Sequence, residues 1–109
     1  MVMTDVTSVP ANTTTGNILA GKAMEFVQEV STVVIGICAA AVGLFATVVI
    51  GTEVVVDDQE VSAAAHMPTF PEDVLAEGGA FAGDRITVRL RNSTGAAIIT
   101  QTKINISPA

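Results

Sequence analysis

The sequence predicts a small all-β protein, a β-sandwich or barrel with an extended N-terminal arm. Three observations favour this class. Half of the 109 residues are hydrophobic but there is no Trp or Tyr, so the core must be built from compact aliphatic side chains. Residues 30–52 form an uncharged block that is rich in β-branched residues, and residues 86–106 alternate apolar and polar side chains. Both patterns are typical of strands, and a chain of this length forms one small domain.

The first 17 residues differ in composition from the rest of the chain. They are rich in Thr, Ser, Asn and Val, and they lack the periodic apolar face of a helix. We therefore expect an extended arm over residues 1–17, followed by a β-domain over residues 18–109. Residues 18–29 fit either a short helix or a first strand.

The uncharged block has two interpretations. Its 23 residues from Val30 to Thr52 exceed the roughly 20 that a membrane-spanning helix needs. However, the block holds one Leu against twelve Val, Ile and Thr, and small residues at 38–43 divide it in two. Interfacial Trp and Tyr are absent, and acids flank both ends. These features favour two strands that are joined by a turn and folded back on each other. The apolar residues that we expect to form core or oligomer contacts in these strands are Val33, Ile35, Ile37, Phe45, Val48 and Ile50.

The apolar block is followed by a strand-like run, TEVVVDDQEV at 52–61, whose second half is acidic. Residues 62–83 contain Pro68, Pro71 and the pair Gly78-Gly79. Prolines and paired glycines interrupt regular structure, so we expect a loop here, with one helical turn after Pro71.

The C-terminal third shows the clearest alternation. Ile86, Val88 and Leu90 alternate with polar residues, which predicts a strand with one buried face. The sequence NSTG at 92–95 is typical of a turn, and residues 98–106 alternate again. The pattern predicts a hairpin, with Ile86, Val88 and Leu90 in the core.

Two segments resemble known proteins. TVVIGICAAAVGLFATVVIG (32–51) and LAEGGAFAGDRITVRLRNSTGAAI (75–98) are similar to segments of small β-rich virion proteins of tailed bacteriophages, which decorate or cement the capsid or form head fibres. The resemblance covers roughly residues 30–106. It departs from the usual pattern at Leu44, where Asp is common. It implies a structural virion protein on the capsid surface, assembled in the host cytoplasm, with the major capsid protein as its partner.

We therefore expect a cement protein that binds a phage head as a homo-oligomer, a trimer or a dimer. The arm would order on contact with coat subunits through Val2, Val6, Val9 and Pro10, and several tethered arms would act together. Two alternatives remain open from the sequence. One is an integral membrane protein with a helix at 30–52, for example in a lipid-containing virus, and the other is a pilin-like filament subunit with a long apolar N-terminal helix. Both predict that residues 30–52 are helical.

Charge and composition argue against other functions. The formal net charge is −6, so a nucleic-acid partner is not expected. Arg85, Arg89 and Arg91 are expected to pair with carboxylates. No phosphate-binding loop is present and no nucleophile–base pair is apparent, so we expect neither an enzyme nor a cofactor.

Metal binding is not expected either. His66, the only histidine, has no second His or Cys at ligand spacing, and Cys38, the only cysteine, is expected to be a buried packing thiol. Asp57, Asp58 and Glu60 lack the pattern of a calcium loop, and the sequence leaves open whether they bind an ion.

Overall fold

The structure is a computed structural model that describes residues 2–64, 66–70 and 72–108. These residues form eight strands and contain no helix. The predicted all-β class is therefore confirmed. The strands are β1 (Val2–Val9), β2 (Thr13–Thr14), β3 (Ser31–Ala39), β4 (Leu44–Ile50), β5 (Glu53–Glu60), β6 (Val74–Ala80), β7 (Ile86–Asn92) and β8 (Ile98–Pro108).

The strands form two antiparallel sheets that pack face to face as a sandwich. Sheet I has the order β1-β8-β3-β6, and sheet II has the order β2-β7-β4-β5. Four of the pairings, β1–β8, β2–β7, β3–β6 and β4–β5, describe one long antiparallel ribbon. The ribbon is rolled up so that β3 also pairs with β8 and β4 with β7. This strand order is that of a jelly roll.

The strands of the two predicted hairpins are present, but their predicted pairing is wrong. β3 and β4 lie in opposite sheets, and so do β7 and β8. The connections at 40–43 and 93–97 therefore cross from one sheet to the other. In this arrangement the apolar faces of consecutive strands cover each other across the sandwich, whereas a hairpin would place them side by side. Among the described strands, only β4 and β5 are consecutive and paired, through a turn at Gly51 whose φ is +63°.

Residues 30–52 do not form the helix that both alternatives require. They contain β3 and β4, which are joined through residues 40–43. In the part of the chain that the structure describes, we find no helix with the length and hydrophobicity to cross a membrane.

Strand β6 occupies a segment that we expected to be a loop. Pro71 lies outside the described residues, and residues 72–73 form a turn rather than the start of a helix. Gly78, which we interpreted as a turn residue, lies within β6 and faces the core. A Cβ atom at Gly78 would lie 3.3 Å from Cδ1 of Ile50, so this glycine allows the two sheets to approach closely.

The expected N-terminal arm is not confirmed, because residues 2–9 are an edge strand. β1 pairs with β8 along its whole length, from Val2 opposite Asn105 to Val9 opposite Ile98. β2 then pairs with β7 in the other sheet. The alternation of Val and Thr in this segment suits a strand, and the open side of β8 supplies its hydrogen-bond partners.

The core lies between the two sheets. Of the nine apolar strand residues named from the sequence, eight are at most 4% exposed. The exception is Phe45, which is only partly buried and lies on the outward face of sheet II. Residues on one face of a strand are an even number of positions apart, so Phe45 lies on the face opposite to Val48 and Ile50 and is outside the core, while an oligomer contact at this residue stays a prediction. The eight buried residues are Val33, Ile35, Ile37, Val48, Ile50, Ile86, Val88 and Leu90.

Candidate functional site

One end of the sandwich, which we call the apolar end, exposes large apolar side chains. Phe26, Val30 and Phe81 are 49%, 52% and 72% exposed. They lie close together in the fold. Ser31 pairs with Ala80, so Val30 and Phe81 come next to each other just beyond that ladder, and Phe26 forms an isolated bridge with Arg85. Clustered exposed apolar side chains mark a contact surface.

A cleft opens at the same end. Its volume is about 270 Å³, and it lies between the segment before β3 and the last residues of β8. The lining is mainly apolar, so the cleft extends the apolar surface inward. The lining residues are Ala23, Met24, Phe26, Val27, Gln28, Glu29, Ser31, Ile106 and Pro108.

Glu25 holds the segment that carries Phe26. Its carboxylate accepts hydrogen bonds from the backbone N–H of Gly21 and from Nε of Arg85, at 2.9 and 2.8 Å. Its backbone carbonyl accepts the N–H of Ile86. The N–H of Gly21, followed by Arg85, lowers the pKa of the Glu25 carboxyl, so the group stays ionised at neutral pH. The segment is thus fixed to the start of β7.

The structure separates the four residues that we expected to contact a capsid. Val2 and Val6 are exposed on the outer face of β1, and Pro10, just after the strand, is exposed as well. Val9 is fully buried in the core and is not accessible to a partner. The expected contact set therefore reduces to three accessible residues.

The edge of β1 carries a charge on its inward side. Asp5 lies there and pairs with Nζ of Lys22 at 2.6 Å, while Oγ1 of Thr7 also donates to it. Burial alone raises the pKa of Asp5, but the bonds from Lys22 and Thr7 outweigh it, so the pKa is lowered. An inward-pointing charge is a common protection of edge strands against pairing with another chain.

The outer face of sheet II carries the expected arginine pairing. Nε and Nη2 of Arg91 donate to the two carboxylate oxygens of Asp58, both at 2.9 Å. The guanidinium also lies 4.3 Å from the ring centre of Phe45. Arg85 pairs with Glu25, as described above, whereas Arg89 makes no ion pair with any residue in the described ranges. Of the three acids Asp57, Asp58 and Glu60, Asp58 is therefore part of this surface network.

A second region of interest is the covering loop, residues 61–73, whose described residues run from the core at Val61 onto the outer face of sheet I. Its start is bound to β3, because the N–H of Ala39 donates to Ser62 and the N–H of Ala64 donates to Ala39. Further along, the loop touches Gly36: a Cβ there would lie 2.8 Å from Cε1 of Phe70 and from the carbonyl oxygen of Asp73. Only glycine leaves room for this contact.

The covering loop brings together three side chains that can bind a metal. Sγ of Cys38, a ring nitrogen of His66 and a carboxylate oxygen of Asp73 all lie within 4.8 Å of one another. Nδ1 of His66 is 3.9 Å from Oδ2 of Asp73. Cys38 is buried, Asp73 is partly buried and His66 is exposed, so the cluster extends from the sheet surface to solvent.

Hydrogen bonds hold two of these three side chains in place. Oδ2 of Asp73 accepts from the backbone N–H and from Oγ1 of Thr69, at 3.0 and 3.2 Å. These bonds, with a smaller effect of His66, lower the pKa of Asp73. Nδ1 of His66 lies 2.9 Å from the carbonyl oxygen of Met67. Burial, and then the charge of Asp73, raises the pKa of the Cys38 thiol.

Sequence reasoning missed this cluster. We dismissed His66 because no second ligand lies at a short spacing, yet its neighbours in space come from β3 and from the end of the covering loop. A signal was present in Gly36, a glycine within a strongly β-branched strand, because such a glycine often marks a close approach of another backbone.

Comparisons with known proteins add no relatives. No protein-family model matches the chain, and neither a curated protein nor a solved structure matches it at a significant level.

Proposed function

We propose that this chain is a structural virion protein that binds the outside of a phage head as a cement, or decoration, protein. The observation that carries the proposal is the jelly-roll strand order, because this fold is used by viral capsid domains. It agrees with the virion resemblance of residues 30–106. Because one fold can host many functions, the proposal also rests on which side chains are exposed.

The apolar end is the proposed main contact. Binding energy at protein interfaces is concentrated in a few large side chains, often aromatic, that fill pockets on the partner. Phe26 and Phe81 are exposed aromatic residues, Val30 is exposed at the same end, and Phe26 also lines the cleft. The proposed partners are the major capsid protein and further copies of this chain, as a trimer or a dimer.

The N-terminal strand is the proposed second contact, through its outer face. Val2, Val6 and Pro10 are exposed there and are available to a coat subunit. The free edge of β1 is less suited to pairing with another strand, since the Asp5–Lys22 pair lies beside it. We therefore propose side-chain contact on the face of β1 in place of strand addition at its edge.

The mechanism is shared binding energy. A small interface on each copy gives weak attachment, but linked copies raise one another's effective concentration at the shell. Each bound copy would bridge neighbouring coat subunits, and detachment would require several contacts to break at once. The head would then resist heat and osmotic shock better than an undecorated head.

The test uses heads purified from cells that produce the phage encoding this chain. The chain should co-sediment with the heads in a fixed copy number, and electron microscopy should show it on the outer surface. Heads made without the chain should rupture at lower temperature, and purified chain should restore their stability. Absence of the chain from heads, or its recovery in a membrane fraction, would refute the proposal.

A pair of variants locates the contact. Replacing Phe26 and Phe81 together by Ser should reduce head binding at least tenfold, because each lost anchor costs more than about 1 kcal/mol. Val42→Ser is the matched control, since Val42 is 67% exposed but lies at the opposite end of the sandwich. Equal binding by both variants would show that the apolar end is not the contact.

A further inference from the structure

We propose that Cys38, His66 and Asp73 form a zinc-binding site that fastens the covering loop to sheet I. The three side chains come from three separate segments: β3, the middle of the covering loop and its last residue. A metal bound between them would therefore join the loop to the sheet, in addition to the backbone hydrogen bonds at Ala39.

The chemistry of the three ligands selects the metal. Thiolate, imidazole and carboxylate together are typical ligands of Zn²⁺, whereas Ca²⁺ and Mg²⁺ prefer sets made only of oxygen. Three protein ligands leave a fourth position for water. His66 is exposed, so a metal can enter from the solvent side of the cluster.

The distances are close to those of a bound site. Ligand atoms placed tetrahedrally around Zn²⁺ at about 2.1 Å are separated by about 3.5 Å. The three possible ligand atoms are separated by at most 4.8 Å, and the imidazole ring lies beside the carboxylate, with Nδ1 of His66 at 3.9 Å from Oδ2 of Asp73. Side-chain movements of roughly 1 Å would therefore bring these atoms to the separations of a bound site.

The surroundings resemble the outer contacts of known metal sites. Ligating carboxylates and imidazoles usually make a further hydrogen bond that fixes their orientation. Thr69 provides this bond to Asp73. In His66 the carbonyl of Met67 accepts the bond from Nδ1, which leaves Nε2 as the nitrogen that would bind the metal. Both partners belong to the covering loop, so the loop itself holds two ligands towards the buried Cys38.

A further polar atom lies on the same face. Gln101 is directly opposite Cys38 in the β3–β8 ladder, and both side chains lie on the outer side of sheet I. Oε1 of Gln101 is buried and has no hydrogen-bond partner among the described residues. Buried acceptors are normally paired. A water bound to the metal would be a suitable donor for this oxygen.

The test uses the full chain, without an affinity tag, after treatment with a chelator. Calorimetric titration with ZnCl₂ should give one bound ion per chain, and a hundredfold excess over the dissociation constant should raise Tm by roughly 5 °C or more. With Co²⁺ as a probe, a thiolate-to-cobalt charge-transfer band should appear. This band would have a single possible source, because the chain has one Cys.

Three variants identify the ligands. Cys38→Ala should remove the charge-transfer band, and His66→Asn and Asp73→Asn should each weaken zinc binding at least tenfold. His66→Asn is the most informative of them, because the exposed loop side chain can be changed without disturbing the core. Asp57→Asn is the control, since Asp57 is an exposed carboxylate outside the cluster.

Three results would overturn the proposal. The first is the absence of zinc binding by the wild-type chain. The second is binding of the same strength by His66→Asn and the control, which would mean that zinc binds elsewhere. The third is binding that depends on Cys38 alone, which would mean simple thiol coordination without the proposed site.

Discussion

The two ends of the sandwich differ in what covers them. At the end where β3 and β7 finish, Asn92 is buried and satisfied: its Nδ2 donates to the carbonyls of Val9 and Ala96, and its Oδ1 accepts from Thr94. At the apolar end, Phe26 and Phe81 project into solvent beside an open cleft.

This difference indicates that one end of the sandwich contributes mainly to stability and the other is available for binding. The Asn92 end joins three connections by hydrogen bonds within the chain, so its residues are needed for folding. The apolar end exposes side chains whose removal costs the fold little, so their apolar area is available to a partner. Four substitutions probe the two ends and the covering loop.

Asn92→Ala should have the largest effect. The substitution removes the donor to the carbonyl of the buried Val9 and the acceptor for the N–H and Oγ1 of Thr94, and each buried loss of this kind costs about 1–3 kcal/mol. We expect the free energy of unfolding to fall by about 3 kcal/mol, as measured by urea denaturation. Asn105→Ala is the control, because the side chain of Asn105 makes no hydrogen bond with the described residues, and its effect should be below about 0.5 kcal/mol. Equal effects would contradict the role given to Asn92.

Gly36→Ala should have the next largest effect on stability, and it tests how the covering loop is held against sheet I. The new Cβ would collide with backbone of Asp73 and with the side chains of Pro68 and Phe70. We expect a loss of about 1–3 kcal/mol and faster amide exchange in residues 61–73. Gly79→Ala in the same sheet is the control, since its Cβ would meet nothing within 4 Å. An unchanged exchange rate would mean that the loop is not held at Gly36.

Glu25→Gln should have a smaller effect that depends on pH. The pKa of Glu25 is lower in the folded chain than in the unfolded chain. Its stabilisation is therefore complete above the ordinary pKa of about 4.3 and is lost as the pH falls through the folded value.

The urea midpoint of the wild-type chain should therefore exceed that of Glu25→Gln at pH 7, and the gap should narrow below about pH 4. Glu53→Gln is the control, because Glu53 is exposed and makes no ion pair within the described residues. A gap that stays constant with pH would show that the charge of Glu25 is not what stabilises the segment.

Phe81→Ser should have the smallest effect on stability. Phe81 is 72% exposed, so we expect a change within about 0.5 kcal/mol in urea denaturation. The same substitution should lower the apparent mass in light scattering if copies of the chain associate through the apolar end. A destabilisation comparable to that of Asn92→Ala would remove the distinction between the two ends.

Some of this architecture follows from local sequence. The β-branched content of residues 31–50 and the alternation at 86–90 and 98–106 correctly predicted four strands, because these patterns depend only on which face of a strand each side chain occupies. The same rule, applied carefully, would have placed Phe45 outward. β6 was missed because Gly78 and Gly79 were interpreted as a turn. Gly78 instead lies within the strand, where the absence of a side chain leaves room for Ile50.

Other features had no local signal. β1 extends sheet I because β8 has an open side. The residues of β1 would suit a free arm equally well. The apolar end also could not be predicted, since Phe26 and Phe81 are far apart in the chain. They come together through the bridge of Phe26 to Arg85 and the pairing of Ser31 with Ala80.

By itself, the sequence determined that the chain is all-β and which residues of its clearest strands face inward, since alternation is a property of each strand alone. Only the tertiary structure decided which strands pair, because partners distant in the chain compete and the rolled ribbon satisfies all of their apolar faces at once. The Cys38–His66–Asp73 cluster belongs to this second group. It exists only because the covering loop crosses the outer face of β3 at Gly36.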